Sequence, residues 1–80
     1  MKLSMYAIRD MKSSWLIPSC EQNDQVAIRN FRHACMSAES VLHTHPDDFV
    51  LYRIGTYDNL IGAVLPEEPV RLVSALEVLA

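Results

Sequence analysis

The sequence predicts an α+β fold of order β-β-α-β-β, a two-layer fold in which one helix packs on one face of an antiparallel sheet. Short segments rich in apolar, β-branched and aromatic residues lie on both sides of one amphipathic helical segment. The chain has 80 residues, which suits one domain over residues 1–80. Half of the residues are hydrophobic and 21% are charged, as is typical of a globular domain rather than a disordered chain.

The first two strands are predicted as a hairpin over residues 2–18. An alternating pattern places Leu3, Met5 and Ala7 on one face of the first strand, and Ser4, Tyr6 and Ile8 on the other. Residues 10–14 form a polar connector of hairpin length. The segment 15–17 is the second strand, and Pro18 ends it because proline cannot donate to a strand ladder.

The predicted helix begins at Asn23-Asp24, where either side chain can accept a hydrogen bond from a free backbone N–H of the first turn. One apolar stripe follows at helical spacing and consists of Ala27, Phe31, Ala34, Cys35 and Ala38. The opposite side is polar and carries Arg29, Arg32, His33 and Met36. Cys35 is therefore expected to be a small core residue. Reduced thiols are expected at Cys20 and Cys35, although a disulfide between them stays open.

After a polar connector at residues 39–48, Phe49–Ile54 is the strongest strand candidate, because its residues are aromatic, β-branched or long and apolar. Gly55 is expected to close this strand, and residues 56–59 to form a turn. Residues 60–65 are the fourth strand. Residues 66–69 are expected to break the chain before a C-terminal tail that is a short helix or a mixed segment.

A single helix covers only one face of such a sheet, so the other face is expected to need a partner. Its predicted residues are Tyr6, Ile8, Val50, Tyr52 and Ile54. We therefore expect a homodimer or a higher homo-oligomer that covers this face.

The formal net charge of −3 is unevenly distributed. Residues 1–33 carry five Lys or Arg and three acidic residues, whereas residues 34–80 carry two Lys or Arg and seven acidic residues, so the two parts have net charges of +2 and −5. Three interpretations of this asymmetry stay open. The positive part could bind a phosphate backbone, the two parts could set the register of a homo-oligomer, or the charges could be scattered over the surface without a role.

The cationic and aromatic residues keep nucleic acid open as a partner, in single-stranded rather than duplex form, although the net charge of −3 argues against binding by bulk electrostatics. Single-strand binders combine a cationic track with exposed aromatic rings on which bases stack. The candidate DNA-binding residues are Arg29, Arg32, Lys12, Arg9, Trp15, Lys2 and His33. In the competing interpretation, Trp15 belongs to the core and the arginines only solubilise the helix.

No catalytic residue, metal site or cofactor is predicted. His43 and His45, with Asp47 and Asp48 nearby, lack the second half-site that a four-ligand metal centre needs. His33 and Cys35 are two apart on the helix and point in different directions, so they cannot form a nucleophile–base pair. No targeting signal or membrane-spanning segment is expected.

Two segments resemble a known family. They are Asn23-Asp24-x-x-Ala27-Ile28-Arg29-x-Phe31 and His45-Pro46-x-Asp48-Phe49-x-Leu51-Tyr52-x-Ile54-Gly55-x-Tyr57-Asp58, and the opening Met-Lys-Leu-x-Met-Tyr-Ala-Ile-Arg-Asp is also similar. With these segments the chain resembles, over nearly its whole length, the small nonstructural protein of gokushovirus-type microviruses, which are single-stranded DNA phages.

The resemblance implies a non-catalytic DNA-binding protein of the host bacterial cytoplasm, acting in replication or packaging of a single-stranded genome. That family is often likened to the microvirus protein that switches synthesis from the double-stranded replicative form to the single-stranded genome. Among the matched positions, Arg29 is the cationic one. The alternative is a protein-interaction module that binds a phage or host replication factor through the bare sheet face, without contacting DNA.

Overall fold

The computed structural model describes residues 1–80. Its four-stranded antiparallel sheet has the order β2-β1-β3-β4, with β1 at Lys2–Asp10, β2 at Ser19–Glu21, β3 at Phe49–Asp58 and β4 at Ala63–Ser74. The helices are α1 at Asp24–Cys35, α2 at Val41–Thr44 and α3 at Ala75–Leu79, with a 3-10 turn at Pro46–Asp48. The predicted α+β class, with an antiparallel sheet and one main helix on one face, is confirmed.

Helix α1 begins where the sequence places it. The side chain of Asn23 accepts a hydrogen bond from the backbone N–H of Val26 at 2.9 Å, which satisfies one free donor of the first turn. Asp24 lies in the first turn, and Arg32 and His33 lie in the last, so each charge suits the adjacent end of the helix dipole. These local signals explain why this boundary is predictable.

The core lies between the sheet and the helices. It consists of Tyr6, Ala27, Phe31, Cys35, Leu42, Phe49, Leu51 and Ala75. The prediction that Cys35 is a core residue is confirmed, since its side chain is fully buried. Cys20 and Cys35 are both free thiols, so no disulfide joins them.

The predicted second strand at residues 15–17 is wrong in position. Only one bridge, between Arg9 and Trp15, forms there, and regular pairing with β1 resumes after Pro18, at Ser19–Glu21. Met5 pairs with Cys20, so the register differs by one residue from that of the Arg9–Trp15 bridge. The segment around Pro18 leaves the ladder between these two points because proline has no N–H to donate.

The predicted break at residues 66–69 is also wrong, because β4 runs through it from Ala63 to Ser74. This strand is an edge of the sheet, where a proline costs least because one side of the strand has no partner. Residues 67–69 lie opposite a register irregularity, since Gly55 pairs with Pro66 and Arg53 pairs with Val70. Likewise β3 does not close at Gly55 but continues to Asp58, and the turn follows at residues 59–62.

The placement of Tyr6 and Ile8 on the bare sheet face is wrong. Tyr6 pairs with Arg53 and Ile8 pairs with Leu51, which puts both side chains on the face that α1 covers. Tyr6 is 1% exposed within the core, and Ile8 packs against that core. The alternation predicted for β1 from Tyr6 to Ile8 and for β3 from Phe49 to Arg53 is correct, whereas Ile54 lies at a register irregularity. The prediction grouped Tyr6 and Ile8 with Val50 and Tyr52, but the register puts Ala7 opposite Tyr52 and Arg9 opposite Val50, so the two sets lie on different faces of the sheet.

Candidate nucleic-acid interface

The sheet face turned away from α1, here called the open face, carries the side chains that alternate with the core residues. Ala7 pairs with Tyr52 and Arg9 pairs with Val50, while Trp15 bridges to Arg9 across the sheet edge. Residues paired in register share a face, so Arg9, Trp15 and Tyr52 lie together on the open face. We call these three residues the open-face cluster.

The geometry of the open-face cluster is that of an aromatic pair beside a cation. The rings of Trp15 and Tyr52 meet edge to face, with centroids 4.9 Å apart and planes at 69°. The guanidinium carbon of Arg9 lies 5.9 Å from the centre of the Trp15 ring. Trp15 is 43% exposed, which contradicts the interpretation that it belongs to the core. Part of its surface is therefore available to a ligand.

Lys12 is exposed in the turn that connects Arg9 to Trp15. Two hydrogen bonds fix this turn: the N–H of Asp10 donates to the carbonyl of Ser14 at 2.9 Å, and the N–H of Lys12 donates to Oδ1 of Asp10 at 2.9 Å. A second cation thus stands on an ordered turn next to the cluster.

The remaining predicted DNA-binding residues lie elsewhere. Arg29, Arg32 and His33 are exposed on α1, which covers the opposite face of the sheet from the open-face cluster. Lys2 pairs in register with Asp58, at the far end of β1 from Arg9. The seven candidates therefore do not form one surface: Arg9, Lys12 and Trp15 are brought together, Arg29, Arg32 and His33 form a separate helix patch, and Lys2 stands apart.

Ion pairing separates the cations into two classes. Arg53 pairs with Asp24 and Glu67, and Arg71 pairs with Glu77. No carboxylate lies within ion-pairing distance of the other five Lys and Arg side chains, which are Lys2, Arg9, Lys12, Arg29 and Arg32. These five are the cations that the sequence pattern nominated for phosphate contacts, and their charges are not neutralised within the protein.

Arg53 has a structural role at the first turn of α1. Oδ1 of Asp24 accepts a hydrogen bond from the hydroxyl of Tyr6 at 2.7 Å, and Oδ2 accepts one from Arg53 at 2.6 Å. Burial, and then the bond to Asp24, raises the pKa of Tyr6 to about 12. The hydrogen bond to Glu67, and then the charge of Asp24, raises the pKa of Arg53. These contacts fix the helix on the sheet and leave Arg53 no free charge for a ligand.

The sequence assigned Tyr52 to a partner interface and did not associate it with Trp15 or Arg9. Their association depends on the register of β1 against β3 and on where the chain returns after residue 14, and neither is encoded in a local pattern. Val50 shares the open face with Tyr52, whereas Ile54 lies at a register irregularity of β3. That these three residues contact a partner remains a prediction.

A shallow cavity of about 160 Å³ lies between α1, β1 and the segment before β2, and we call it the α1–β1 groove. Its lining is mostly apolar and includes Ile8, Ile17, Ala27, Phe31, Ala34 and Leu51. The amide of Asn30 donates a hydrogen bond to Glu21 at 3.2 Å on its border. An apolar lining with few polar groups suits a hydrophobic side chain rather than a phosphate.

Other polar groups do not gather into a site. His43 directs Nδ1 at the carbonyl oxygen of Cys35, 2.9 Å away, and so caps the last turn of α1. Burial raises the pKa of the Cys35 thiol, which disfavours its reactive thiolate form. No three His, Cys, Asp or Glu side chains lie close enough together to hold a metal ion.

Comparison with known proteins gives one result. The sequence model of a family described as "Phage ORF5 protein" matches residues 3–78. No curated protein and no solved structure matches the chain significantly. None of the three helices has the length and apolar character required to cross a bilayer.

Proposed function

Because this chain belongs to the phage ORF5 protein family, we propose that it is a non-catalytic phage protein that binds single-stranded DNA through the open-face cluster. It would act in the host bacterial cytoplasm, during replication or packaging of a single-stranded DNA genome. The observation that carries the proposal is the exposed Trp15 ring, with the unpaired cations Arg9 and Lys12 beside it. Family membership supports the phage setting, and the chemistry of the cluster supports the ligand.

In this proposal the aromatic residues of the open-face cluster contact a base, and the cations contact phosphates. An unpaired base stacks on the exposed surface of Trp15, while the edge-to-face contact with Tyr52 fixes the orientation of the indole. Arg9 and Lys12 contact the phosphates that flank this base, since both charges are free of carboxylate partners.

Single-stranded DNA is favoured over duplex because the Trp15 ring can stack only on a base that is not already stacked and paired. A duplex offers the cluster only phosphates, and two free cations on a protein of net charge −3 provide little nonspecific attraction. The discrimination between the two forms is therefore assigned to Trp15.

The helix patch of Arg29, Arg32 and His33 would be a second phosphate contact. It lies across the sheet from the cluster, so a strand must pass around the protein to reach both. A short oligonucleotide should need only the cluster, and a longer one should gain affinity from the patch.

Trp15 is the single tryptophan of the chain, so its fluorescence reports on the proposed site directly. We expect an unlabelled thymidine oligonucleotide to quench this fluorescence at low salt, with an affinity that falls as salt rises. A matched duplex should bind more weakly. Absence of quenching and of binding at low salt, or an affinity that ignores salt, would contradict the proposal.

Two pairs of charge variants then locate the surface, with a labelled oligonucleotide and fluorescence anisotropy as the readout. Arg9→Ala with Lys12→Ala should reduce the slope of log affinity against log salt by about 1.4, since each single-strand phosphate contact contributes about 0.7. Arg29→Ala with Arg32→Ala removes the same charge and should leave the binding of a short oligonucleotide unchanged. If Arg29→Ala with Arg32→Ala weakened binding and Arg9→Ala with Lys12→Ala did not, the binding site would instead be the helix patch.

On the resemblance to gokushovirus-type nonstructural proteins, the proposed role of this DNA binding is to switch synthesis from the double-stranded replicative form to the single-stranded genome. Its competitor is a protein-interaction module that binds a phage or host replication factor through the open face, where the partly exposed Trp15 lies beside Tyr52. That module would show no DNA affinity, and Tyr52→Asp would abolish capture of its partner.

A further inference from the structure

The open face extends along the sheet beyond the open-face cluster. Glu21 pairs with Ser4 across the sheet and accepts a hydrogen bond from Asn30 of α1 at 3.2 Å, so this row of residues faces the helix. Leu3 and Met5 alternate with Ser4 along β1. Their side chains therefore lie on the open face, on the same side of the sheet as the open-face cluster.

Tyr57 is an aromatic residue at this second end of the open face. It pairs with Leu3 on one side and with Val64 on the other, and residues paired in register share a face. Tyr57 is partly exposed, and the aromatic pair of the structure, Trp15 with Tyr52, does not include it. All three helices contribute to the core on the opposite face, so none of them covers this end. Tyr57 thus presents a ring that the core does not use.

The two tyrosines of β3 lie at different levels of the open face. Tyr57 pairs with Leu3, and Tyr52 pairs with Ala7, four positions further along β1. At about 3.3 Å per residue, these two levels are roughly 13 Å apart, and Arg9 lies roughly 7 Å beyond Ala7. The path from Arg9 to Tyr57 is therefore roughly 20 Å long, which suits about four nucleotides, at the lower end of the site sizes of single-strand-binding domains.

The charges along this path suit a polyanion. The chain has ten acidic residues, yet the central strands β1 and β3 present none of them to the open face. Their acidic residues, Asp10 and Asp58, alternate with the open-face positions and belong to rows that face α1. Arg9 and Lys12, which are free of carboxylate partners, stand at one end of the path. A DNA strand that lies along β1 and β3 therefore begins at cations and meets no carboxylate of these strands.

We propose that Tyr57 is a second base-stacking residue, and that the single-stranded DNA lies along β1 and β3 on the open face between Trp15 and Tyr57. This inference rests on the proposed DNA binding and adds to it the path and the length of the bound segment. Aromatic residues on the face of a four-stranded sheet are a known means of stacking successive bases. One base stacks on Trp15, and a base about three nucleotides further along stacks on Tyr57.

Titrations that follow Trp15 fluorescence at low salt, with thymidine oligonucleotides of two lengths, test the proposal. A trinucleotide is too short to reach Tyr57 from Trp15, whereas an oligonucleotide of about eight nucleotides spans both. Tyr57→Ala should weaken binding of the longer oligonucleotide about tenfold, as expected for the loss of one stacked base, and should leave the trinucleotide unchanged. The salt dependence should also stay unchanged, because the tyrosine side chain is uncharged near neutral pH.

Two control variants separate stacking from an effect on the fold. Tyr57→Phe keeps the aromatic ring and should keep the wild-type affinity for the longer oligonucleotide. Thr56→Ala changes the neighbouring residue of the same strand, which pairs with Ser4 and so faces α1, and it should leave the affinity unchanged. Circular dichroism establishes that each variant is folded.

The outcomes distinguish this inference from the proposed function on which it rests. If Trp15 is quenched but Tyr57→Ala binds the longer oligonucleotide as tightly as the wild-type protein does, DNA binding stands and the path to Tyr57 is wrong. A loss of affinity that is equal for both lengths, or that also occurs in Thr56→Ala, would overturn the stacking role as well. Absence of quenching with either oligonucleotide would overturn both proposals.

Discussion

The hydroxyl of Tyr6 donates a hydrogen bond of 2.7 Å to Oδ1 of Asp24, which joins the central strand β1 to the first turn of α1. Asp24 uses its other oxygen for Arg53 of β3, so one carboxylate connects three elements. The Tyr6 ring is buried beside Ala27 and Phe31, and the contact therefore sets where the helix begins on the sheet.

Tyr6→Phe should destabilise the fold by about 1–2 kcal/mol. The ring and its packing remain, but Oδ1 of Asp24 loses a donor in a partly buried setting, and a hydrogen bond to a charged acceptor has about this value. Urea denaturation followed by circular dichroism measures the change. Tyr57→Phe is the control, because the Tyr57 hydroxyl makes no side-chain hydrogen bond, and equal losses in the two variants would contradict the assignment.

The stability of the protein should fall at alkaline pH because of the same residue. The pKa of Tyr6 is raised from 10.0 to about 12, chiefly by burial, so the folded state favours the neutral phenol. The neutral Tyr6 phenol therefore contributes its full share of the folding stability below pH 10, and this contribution is lost as the pH rises towards 12. Urea midpoints from pH 9 to 12 should fall more in the wild-type protein than in Tyr6→Phe. Parallel curves would show that another group controls alkaline unfolding.

Gly55→Ala should destabilise the protein by about 3 kcal/mol, at the upper end of the range for overpacking. A Cβ at this position would lie 2.5 Å from the carbonyl oxygen of Leu65 and 3.2 Å from Cα of Pro66, which are backbone atoms that cannot rotate away. Gly62→Ala meets open space but has a φ of +69°, so it should cost only about 1 kcal/mol. Thermal and urea unfolding compare the two, and a larger loss at Gly62 would refute this reasoning.

Helix α3 should loosen in acid because Glu77 caps it. The pKa of Glu77 is lowered from 4.5 to about 2, first by the backbone N–H of Ser74, then by Arg71 and by the Ser74 hydroxyl. The ionised Glu77 carboxylate therefore contributes its full share of the folding stability above pH 4.5, and this contribution is lost as the pH falls towards 2. Glu77→Gln keeps a cap acceptor without the charge, so its urea midpoint should change less between pH 5 and 2.5. An identical acid response in both proteins would contradict the prediction.

The elements that could be predicted are those with local signals. Asn23 and Asp24 mark the start of α1, the stripe that includes Phe31 and Cys35 identifies its buried side, and the apolar run from Phe49 identifies β3. Each signal depends on neighbours within a few residues, which the backbone geometry of a helix or strand relates directly.

The candidate site was only partly predictable for a related reason. The pattern nominated Arg9, Lys12 and Trp15, which the fold brings together, and also the arginines of α1, which the fold places across the sheet. Distance along the chain does not reveal which layer a residue occupies. The tolerance of β4 for two prolines was hidden similarly, since it depends on β4 being an edge strand.

The chain by itself determined the α+β class, the start of α1 and the alternation of β3 from Phe49 to Arg53, because these follow from near-neighbour chemistry. Only the tertiary structure decided the register of β1 against β3, and a shift of one residue exchanges the two faces of a strand. That register buries Tyr6 beneath the helix and brings Tyr52 to Trp15 on the open face. The physical reason is that register is fixed by the burial of the whole sheet face, which no local segment contains.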